Sequence, residues 1–369
     1  MFTWRYTIDD SDFAAVSERV WQGPAQEPLG IEGPNDAALV DDGATGLTRY
    51  VPILPVDPDL FITLGAGGTP LVEGALAGRP VLFKLDSLLP TGSFKDRGAA
   101  VAVALLRSHG ARRIVVDSSG NAAAAMSAYC AAHGIACVVY APAYASPGKL
   151  VQSRAYGAEV HLIDGSRDDV ARAAQAEGEA RDDAYYVSHN WSPVFAEGVK
   201  TWALEVWEQL GQRAPQRVFV PTGGGSALVG ALRGFQATGE LPRIVASQPA
   251  ACAPLVEAFA RGDDALVGVE PRETIAEGAR IANPPRNRML IDALRESHGG
   301  ATAIEEPQLA LALHELWRQG IYAEPTAALG AAAFVRAAHD GEELSGTSVV
   351  LITGSGLKSS DTIQQLLVA

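Results

Sequence analysis

Hydrophobic residues from Pro80 onward are spaced as in alternating β-strands and α-helices. Short runs rich in valine and isoleucine, typical of strands buried in a parallel sheet, alternate with longer runs of helical periodicity. The first predicted strands are VLFKL, RIVVD, ACVVYAP and AEVHLI, and the predicted helices between them end at Gly110, Gly134 and Gly157. This order predicts a parallel sheet wrapped by helices.

A second series of strands and helices follows residue 200 and ends with the apolar run SVVLI. Two such series predict two doubly wound α/β domains with parallel sheets and a ligand site in the cleft between them. We assign residues 93–200 to a smaller domain and residues 61–92 plus 201–369 to a larger one. Residues 1–60 are punctuated by Gly and Pro and are weakly periodic, so we expect an N-terminal extension packed on the body.

Length and charge narrow the class of protein. The chain has 369 residues, of which 47% are hydrophobic and 20% charged, which is typical of a compact globular enzyme and excludes fibrous and disordered classes. A net charge of -14 disfavours binding to the phosphates of nucleic acid or of anionic lipid. We therefore expect a small-molecule substrate as partner, with no nucleic acid and no membrane.

The uncharged stretch from Ser118 to Gly148 is not expected to span a membrane. Pro142 and Pro147 divide it, together with polar residues, into segments too short to cross the hydrocarbon core. The three cysteines lie in apolar or alanine-rich stretches, which favours buried free thiols over disulfides. The start of the chain lacks the basic and apolar regions of a secretory signal, so we predict a cytoplasmic protein.

Loops between strands and helices bind the ligands of doubly wound folds, and the first candidate is PTGSFKDRG. It places Lys95 in the first turn of a predicted helix, where the macrodipole disfavours a cation. The Lys95 amine should then deprotonate more readily, as suits a nucleophile that forms a Schiff base with an aldehyde. A solvated Lys95 paired with Asp96 is the alternative that this segment leaves open.

The second candidate loop, between strand RIVVD and the alanine-rich helix, contains Ser118, Ser119 and Asn121. Hydroxyl, main-chain and amide donors at a helix start can bind an anion and a ring substituent. An ordinary N-cap is the alternative.

The third candidate loop follows strand RVFVP and contains three successive glycines before a helix. Its residues are Gly223, Gly224, Gly225 and Ser226. Glycines allow backbone N–H groups to converge on a phosphate at the helix terminus, although a structural tight turn is also open. The spacing matches neither the dinucleotide fingerprint nor a Walker A loop.

The fourth candidate loop, TGSGLK, follows the last apolar strand and offers the neutral hydroxyls of Thr353 and Ser355. Taken alone, this segment is equally compatible with a glycine-rich turn. The histidines and cysteines lack the spacing of metal ligands, and no Gly-x-Ser-x-Gly elbow occurs. We therefore expect no metal site.

Together, these segments resemble the fold type II pyridoxal-phosphate enzymes, and most closely threonine synthase and its relatives. The similarity covers residues 62–361 through the motifs LGAGGTPLVE, PTGSFKDRG, SSGNAAA, EPTAA and TGSGLK. It implies two α/β domains of the tryptophan synthase β type, with the active site in the cleft, and a homodimer. Pyridoxal 5'-phosphate is the implied cofactor.

The resemblance also implies a role for each residue that matches a motif. Lys95 would form the Schiff base and later move the α-proton of the substrate, and Asn121 would donate to the ring oxygen. Thr353, or less favourably Ser355, would face the pyridine nitrogen. The cofactor phosphate would lie against Gly223, Gly224, Gly225 and Ser226.

A neutral hydroxyl at the pyridine nitrogen makes the ring a weaker electron sink, which favours elimination over transamination. Thr69, Ser118 and Ser119 would be candidates for the substrate carboxylate.

The sequence departs from the threonine synthase pattern at the substrate. Phe195 stands where the family has an Arg thought to hold the substrate phosphate, and Ala122 stands where it has a Thr. The loss of two donors predicts a pocket for an uncharged side chain, with Phe195 in its wall. The glycine loop GGGS is more similar to that of serine/threonine ammonia-lyases.

The predicted function is elimination or replacement at the side chain of a small, unphosphorylated amino acid. The alternatives are a true threonine synthase acting on O-phosphohomoserine, a serine/threonine ammonia-lyase, and a noncatalytic relative that binds a metabolite.

Overall fold

The computed structural model describes residues 4–9, 11–18, 20–145 and 147–368, and the chain forms two compact units. The first unit comprises Met1–Gly68 and Lys95–Thr201, so it includes the segment expected to form an N-terminal extension. The second unit comprises Thr69–Phe94 and Trp202–Ala369.

Strands and helices alternate along most of the chain, as the hydrophobic spacing predicts. The strands are β1 (Arg5–Ile8), β2 (Ser11–Ala15), β3 (Gly30–Glu32), β4 (Leu71–Leu76), β5 (Arg79–Lys84), β6 (Arg113–Val116), β7 (Ala136–Pro142), β8 (Glu159–Ile163), β9 (Ala184–Tyr186), β10 (Arg217–Pro221), β11 (Arg243–Pro249), β12 (Gly300–Ile304) and β13 (Ser348–Leu351). The helices are α1 (Lys95–Ser108), α2 (Asn121–Ala132), α3 (Pro147–Ala155), α4 (Arg167–Glu179), α5 (Pro193–Val199), α6 (Thr201–Gln209), α7 (Ser226–Gln236), α8 (Pro254–Arg261), α9 (Asn287–Glu296), α10 (Glu306–Arg318), α11 (Leu329–His339) and α12 (Ser360–Val368).

The first unit contains a four-stranded parallel sheet in the order β8-β7-β6-β9 and a small antiparallel sheet in the order β2-β1-β3. Val115, Val138 and Tyr186 belong to its buried core, and Trp21 from the N-terminal segment packs against them. Helices α1 and α5 approach closely because Gly98 and Gly198 have no side chain. A Cβ on Gly98 would lie 2.3 Å from the Phe195 ring, and one on Gly198 would lie 2.2 Å from the Arg97 carbonyl oxygen.

The second unit contains a six-stranded sheet in the order β12-β11-β10-β13-β5-β4. Neighbouring strands are parallel except β4, which pairs antiparallel with β5. Helix α11 packs on this sheet through Phe334, whose ring meets Phe219 edge-on at 5.4 Å between centroids. The predicted α/β class with parallel sheets is confirmed.

The described residues contain no helix long and apolar enough to cross a membrane. Cys130, Cys137 and Cys252 are all buried and form no disulfide, as their apolar surroundings predict.

A buried ion pair joins three segments of the second unit. Lys84 Nζ at the end of β5 donates to Glu205 Oε2 of α6 at 2.6 Å and to the Thr69 carbonyl at 2.7 Å. Gln209 accepts a further bond from the same amine at 2.9 Å and donates to the Thr69 carbonyl. The two charged side chains are 0% and 4% exposed, so water cannot replace either partner.

We expect Lys84→Met to destabilise the protein by about 3–5 kcal/mol, because it leaves the Glu205 carboxylate buried without its counter-charge. The double variant Lys84→Met/Glu205→Leu should recover part of that loss, since neither charge remains. Urea denaturation of both variants measures the free energy of unfolding.

Asp264→Ala is the matched control. It breaks the Arg295–Asp264 pair, in which the aspartate side chain is 87% exposed, and should cost less than about 1 kcal/mol. If Lys84→Met and Asp264→Ala lower the free energy of unfolding equally, the role assigned to the buried pair is contradicted.

Candidate active site

Lys95 is the first residue of α1 and is half-buried. Its Nζ lies 5.7 Å from the centroid of the Phe195 ring. Phe195 belongs to α5, which Ser192 caps by accepting a hydrogen bond from the Phe195 N–H. The lysine amine therefore has an apolar ring on one side, at a helix terminus that carries partial positive charge.

The Phe195 side chain is 0% exposed, because its ring fills the space above Gly98 and meets the His189 ring at 6.0 Å between centroids. The ring packs between α1 and α5, with Lys95 Nζ above it. Its place in the wall of a substrate pocket stays a prediction.

The loop after β6 opens α2 without a side-chain cap. The N-cap position is Gly120, and the hydroxyl of Ser118 accepts from the Gly120 N–H at 3.3 Å. Ser118 is buried, whereas Ser119 and Asn121 are half-buried and expose part of their donors. The N-terminus of α2 thus carries the partial positive charge of a helix start with no side-chain cap among the described residues.

Asp117 directly precedes this loop and was not among the site residues predicted from the sequence. Its Oδ1 is buried, and this burial raises the pKa of the carboxyl to about 6. In the sequence, Asp117 is a single carboxylate at the end of the apolar run RIVVD. A solvated turn residue can occupy the same position, so the sequence did not mark Asp117 as functional.

The glycine loop after β10 forms the N-terminus of α7, again without a side-chain cap. Gly223 and Gly224 are half-exposed, whereas Gly225 and Ser226 are buried. Gly225 has a φ of 85° and packs so closely on Leu290 that a Cβ would lie 2.2 Å from it. The phosphate interpretation rests on the partial positive charge of this uncapped helix start.

Arg286, which the sequence analysis missed, lies behind the glycine loop. Its guanidinium is 1% exposed and donates to the Gly224 carbonyl at 3.4 Å. Burial lowers the pKa of this group to about 10, which still leaves it charged at neutral pH. Arg286 therefore adds a positive charge next to the glycine loop.

The last strand, β13, leads to Thr353, whose hydroxyl is buried and has no hydrogen-bond partner among the described residues. Its carbonyl accepts from the N–H of Phe94, the residue before Lys95, at 2.9 Å. The Ser355 hydroxyl instead accepts from the Leu357 N–H and caps a short 3-10 helix. Of these two hydroxyls, only that of Thr353 lacks a hydrogen-bond partner among the described residues.

Thr69, the expected contact of the substrate carboxylate, is 4% exposed, and its hydroxyl donates to Asp86 Oδ1 at 2.8 Å. Its N–H donates to Glu205 Oε2, so Thr69 is part of the buried Lys84–Glu205 network. Its contact with the substrate stays a prediction.

Strand polarity brings some of the candidate residues together. β10 and β13 are parallel neighbours, so the glycine loop and Thr353 follow strand ends at the same edge of one sheet. In the first unit, Lys95 and Phe195 meet where α1 crosses α5, and Ser118 to Asn121 follow the carboxyl end of β6. The second unit thus places the glycine loop and the buried Thr353 hydroxyl at one edge of its sheet.

Known proteins resemble this chain in sequence and in fold. Residues 62–356 match the family described as pyridoxal-phosphate dependent enzyme. Threonine synthase of Methanocaldococcus jannaschii is 34% identical over 331 residues, covering 86% of this chain and 81% of that protein.

Solved structures of similar fold include a T.th. threonine deaminase, at 28% identity and a TM-score of 0.67, which covers 78% of this chain and 92% of that one. Maize serine racemase aligns with a TM-score of 0.72 at 21% identity, covering 81% and 91% of the two chains. The chain therefore belongs to the family of pyridoxal-phosphate dependent enzymes, and it is threonine synthase-like.

Proposed function

We propose that the enzyme anchors pyridoxal phosphate covalently on Lys95 and binds the cofactor phosphate in the glycine loop, with the Arg286 charge behind it. The observation that carries this proposal is the buried Thr353 hydroxyl, which has no partner among the described residues and follows a strand next to the one that bears the loop. A pyridine nitrogen would complete the hydrogen bonding of that hydroxyl. Asn121 is proposed to donate to the ring oxygen.

The bound cofactor supplies an electron sink for negative charge at the substrate α-carbon. The chain's own residues hold and move protons around that centre. Lys95 places an amine at the start of α1, and we assign it the transfer of the α-proton. The neutral Thr353 hydroxyl does not enforce a charged pyridine ring, which favours elimination and replacement over transamination.

The substrate is proposed to be a small amino acid with an uncharged side chain. Ser118 and Ser119, with the uncapped N-terminus of α2, are the proposed site of its carboxylate. Phe195 and Ala122 are apolar and buried, so neither position provides a donor to a phosphate on the substrate side chain. The reaction is proposed to be elimination or replacement at that side chain.

A true threonine synthase acting on O-phosphohomoserine is the second candidate, and the 34% identity to threonine synthase favours it. An ammonia-lyase is a third candidate, supported by the 28% identity to a threonine deaminase. The cytoplasmic location and the homodimer stay predictions.

Lys95 should carry the cofactor. After borohydride reduction and proteolysis, peptide mapping is expected to place a pyridoxyl group on Lys95. The reason is that Lys95 is the first residue of α1 and its amine lies beside the apolar Phe195 ring. Lys95→Ala should bind pyridoxal phosphate only noncovalently. A pyridoxyl group on Lys84, Lys149, Lys200 or Lys358 would contradict the assignment.

Arg286→Met should raise the dissociation constant for pyridoxal phosphate about 10-fold or more, because a charge-assisted contribution of about 1.5–3 kcal/mol is lost. Fluorescence titration of the apoprotein measures this constant. Arg288→Met removes the same charge at a side chain that is 69% exposed, and should leave the affinity unchanged. Equal affinities of the two variants would refute the role of Arg286, and Arg286→Lys shows whether charge alone suffices.

Neutral amino acids should be the better substrates. Two missing charge-assisted donors lower transition-state affinity for a phosphorylated side chain by roughly 10²–10⁴. We therefore expect kcat/KM for serine, threonine or an uncharged activated analogue to exceed that for O-phosphohomoserine, with released phosphate, ammonia and 2-oxo acid measured in parallel. If O-phosphohomoserine is the best substrate, the enzyme is a threonine synthase whose phosphate site lies elsewhere.

A further inference from the structure

A cavity of about 300 Å³ lies in the first unit, apart from the loops described above. Its volume is at the lower end of the range found for small-molecule sites and is twice that of a cavity able to hold benzene. Four aromatic residues from both ends of the first unit's sequence contribute to its lining: Tyr6, Trp21, Tyr185 and Tyr186. None of the proposed cofactor residues lines it.

Contacts fix three of the four aromatic residues that line the cavity. The Trp21 ring meets the Tyr186 ring edge-on at 4.9 Å between centroids, and the Trp191 ring meets the Trp21 ring edge-on at 5.6 Å. The Tyr185 hydroxyl donates to the His109 carbonyl at 3.1 Å. The cavity is therefore lined by ordered aromatic rings, whose faces carry partial negative charge.

The charge of the described lining is negative. Glu18 and Glu179 line the cavity, and no Lys or Arg does so within the described residues. Glu18 is positioned by accepting a hydrogen bond from the Ala15 N–H at 3.0 Å. Burial lowers the pKa of His109, which also lines the cavity, and this favours the neutral form of its imidazole ring. An anion would meet no charge-assisted donor from these side chains.

We propose that this cavity binds a small organic cation, an alkylated ammonium group attached to an apolar body. Aromatic faces attract such cations more strongly than they attract neutral groups of the same shape, and quaternary ammonium ligands are commonly held in aromatic cages. The two carboxylates add long-range attraction, and the aliphatic lining accepts the apolar body.

The cavity shares its walls with the helices of the active site. Ala102 and Leu105 come from α1, which begins at Lys95, and Pro193 and Val194 come from α5, directly before Phe195. An occupant would therefore contact both helices whose crossing holds Lys95 and Phe195. This site goes beyond the proposed function and does not depend on it.

Isothermal titration of the holoenzyme with benzyltrimethylammonium tests the proposal. This probe has no N–H and cannot react with the cofactor aldehyde. We expect it to bind at least about 10-fold more tightly than benzyl alcohol or 3-phenylpropionate, which present the same ring with no charge or a negative charge. Equal affinities for the three probes, or no binding of the cation, would overturn the proposal.

Two variants locate the bound probe. Ala102→Leu fills the cavity from α1 and should lower the affinity at least about 10-fold, without a loss of thermal stability, because the added methyl groups enter empty space. Glu179→Gln changes an exposed residue and should weaken binding of the cation about threefold while leaving that of benzyl alcohol unchanged. Glu73→Gln, which removes an exposed carboxylate outside the lining, is the control. Binding that survives both Ala102→Leu and Glu179→Gln would show that the probe binds elsewhere.

Discussion

The Lys84–Glu205 ion pair holds the second unit together around its candidate site. The Lys84 side chain joins β5 to α6 and to Thr69, while its carbonyl accepts from the N–H of Ile352. Ile352 is the residue before Thr353, so the same lysine fixes the start of the segment that carries the unpartnered hydroxyl. Because both charges are buried, the segments cannot separate without exposing or isolating one of them. The stability of this pair and the position of Thr353 are therefore linked.

The proposed phosphate site in the glycine loop depends on backbone geometry more than on side chains. In a planar trans peptide the carbonyl and the following N–H point in opposite directions. Arg286 donates to the Gly224 carbonyl, so the Gly225 N–H is directed away from the guanidinium. The helix α7 adds its own N-terminal donors at the same point. A buried charge behind the loop and uncapped N–H groups in front of it both favour an anion in the loop.

Thr69 and Phe195 show why a motif does not reveal the surroundings of a side chain. Both residues were placed at the substrate because their positions match those of a known family. In the structure, the partners that bury them are distant in the chain: Glu205 and Asp86 for Thr69, and Gly98 for Phe195. Both side chains thus contribute to the packing around the candidate site, and their roles at the substrate stay predictions.

The sequence alone predicted the strands β5 to β8, β10, β11 and β13, the position of Lys95 in the first turn of α1, and the family, because hydrophobic spacing and contiguous motifs are local properties of the chain. It did not predict β1 to β4, β9 or β12. It could not identify Arg286, which reaches the glycine loop across 62 residues, since nothing near position 286 marks it as a phosphate residue. Nor could it show that Tyr6 and Trp21 share a cavity with Tyr185 and Tyr186. Burial and long-range hydrogen bonds decided these placements, because they depend on which distant segments pack together, and that is a property of the tertiary structure alone.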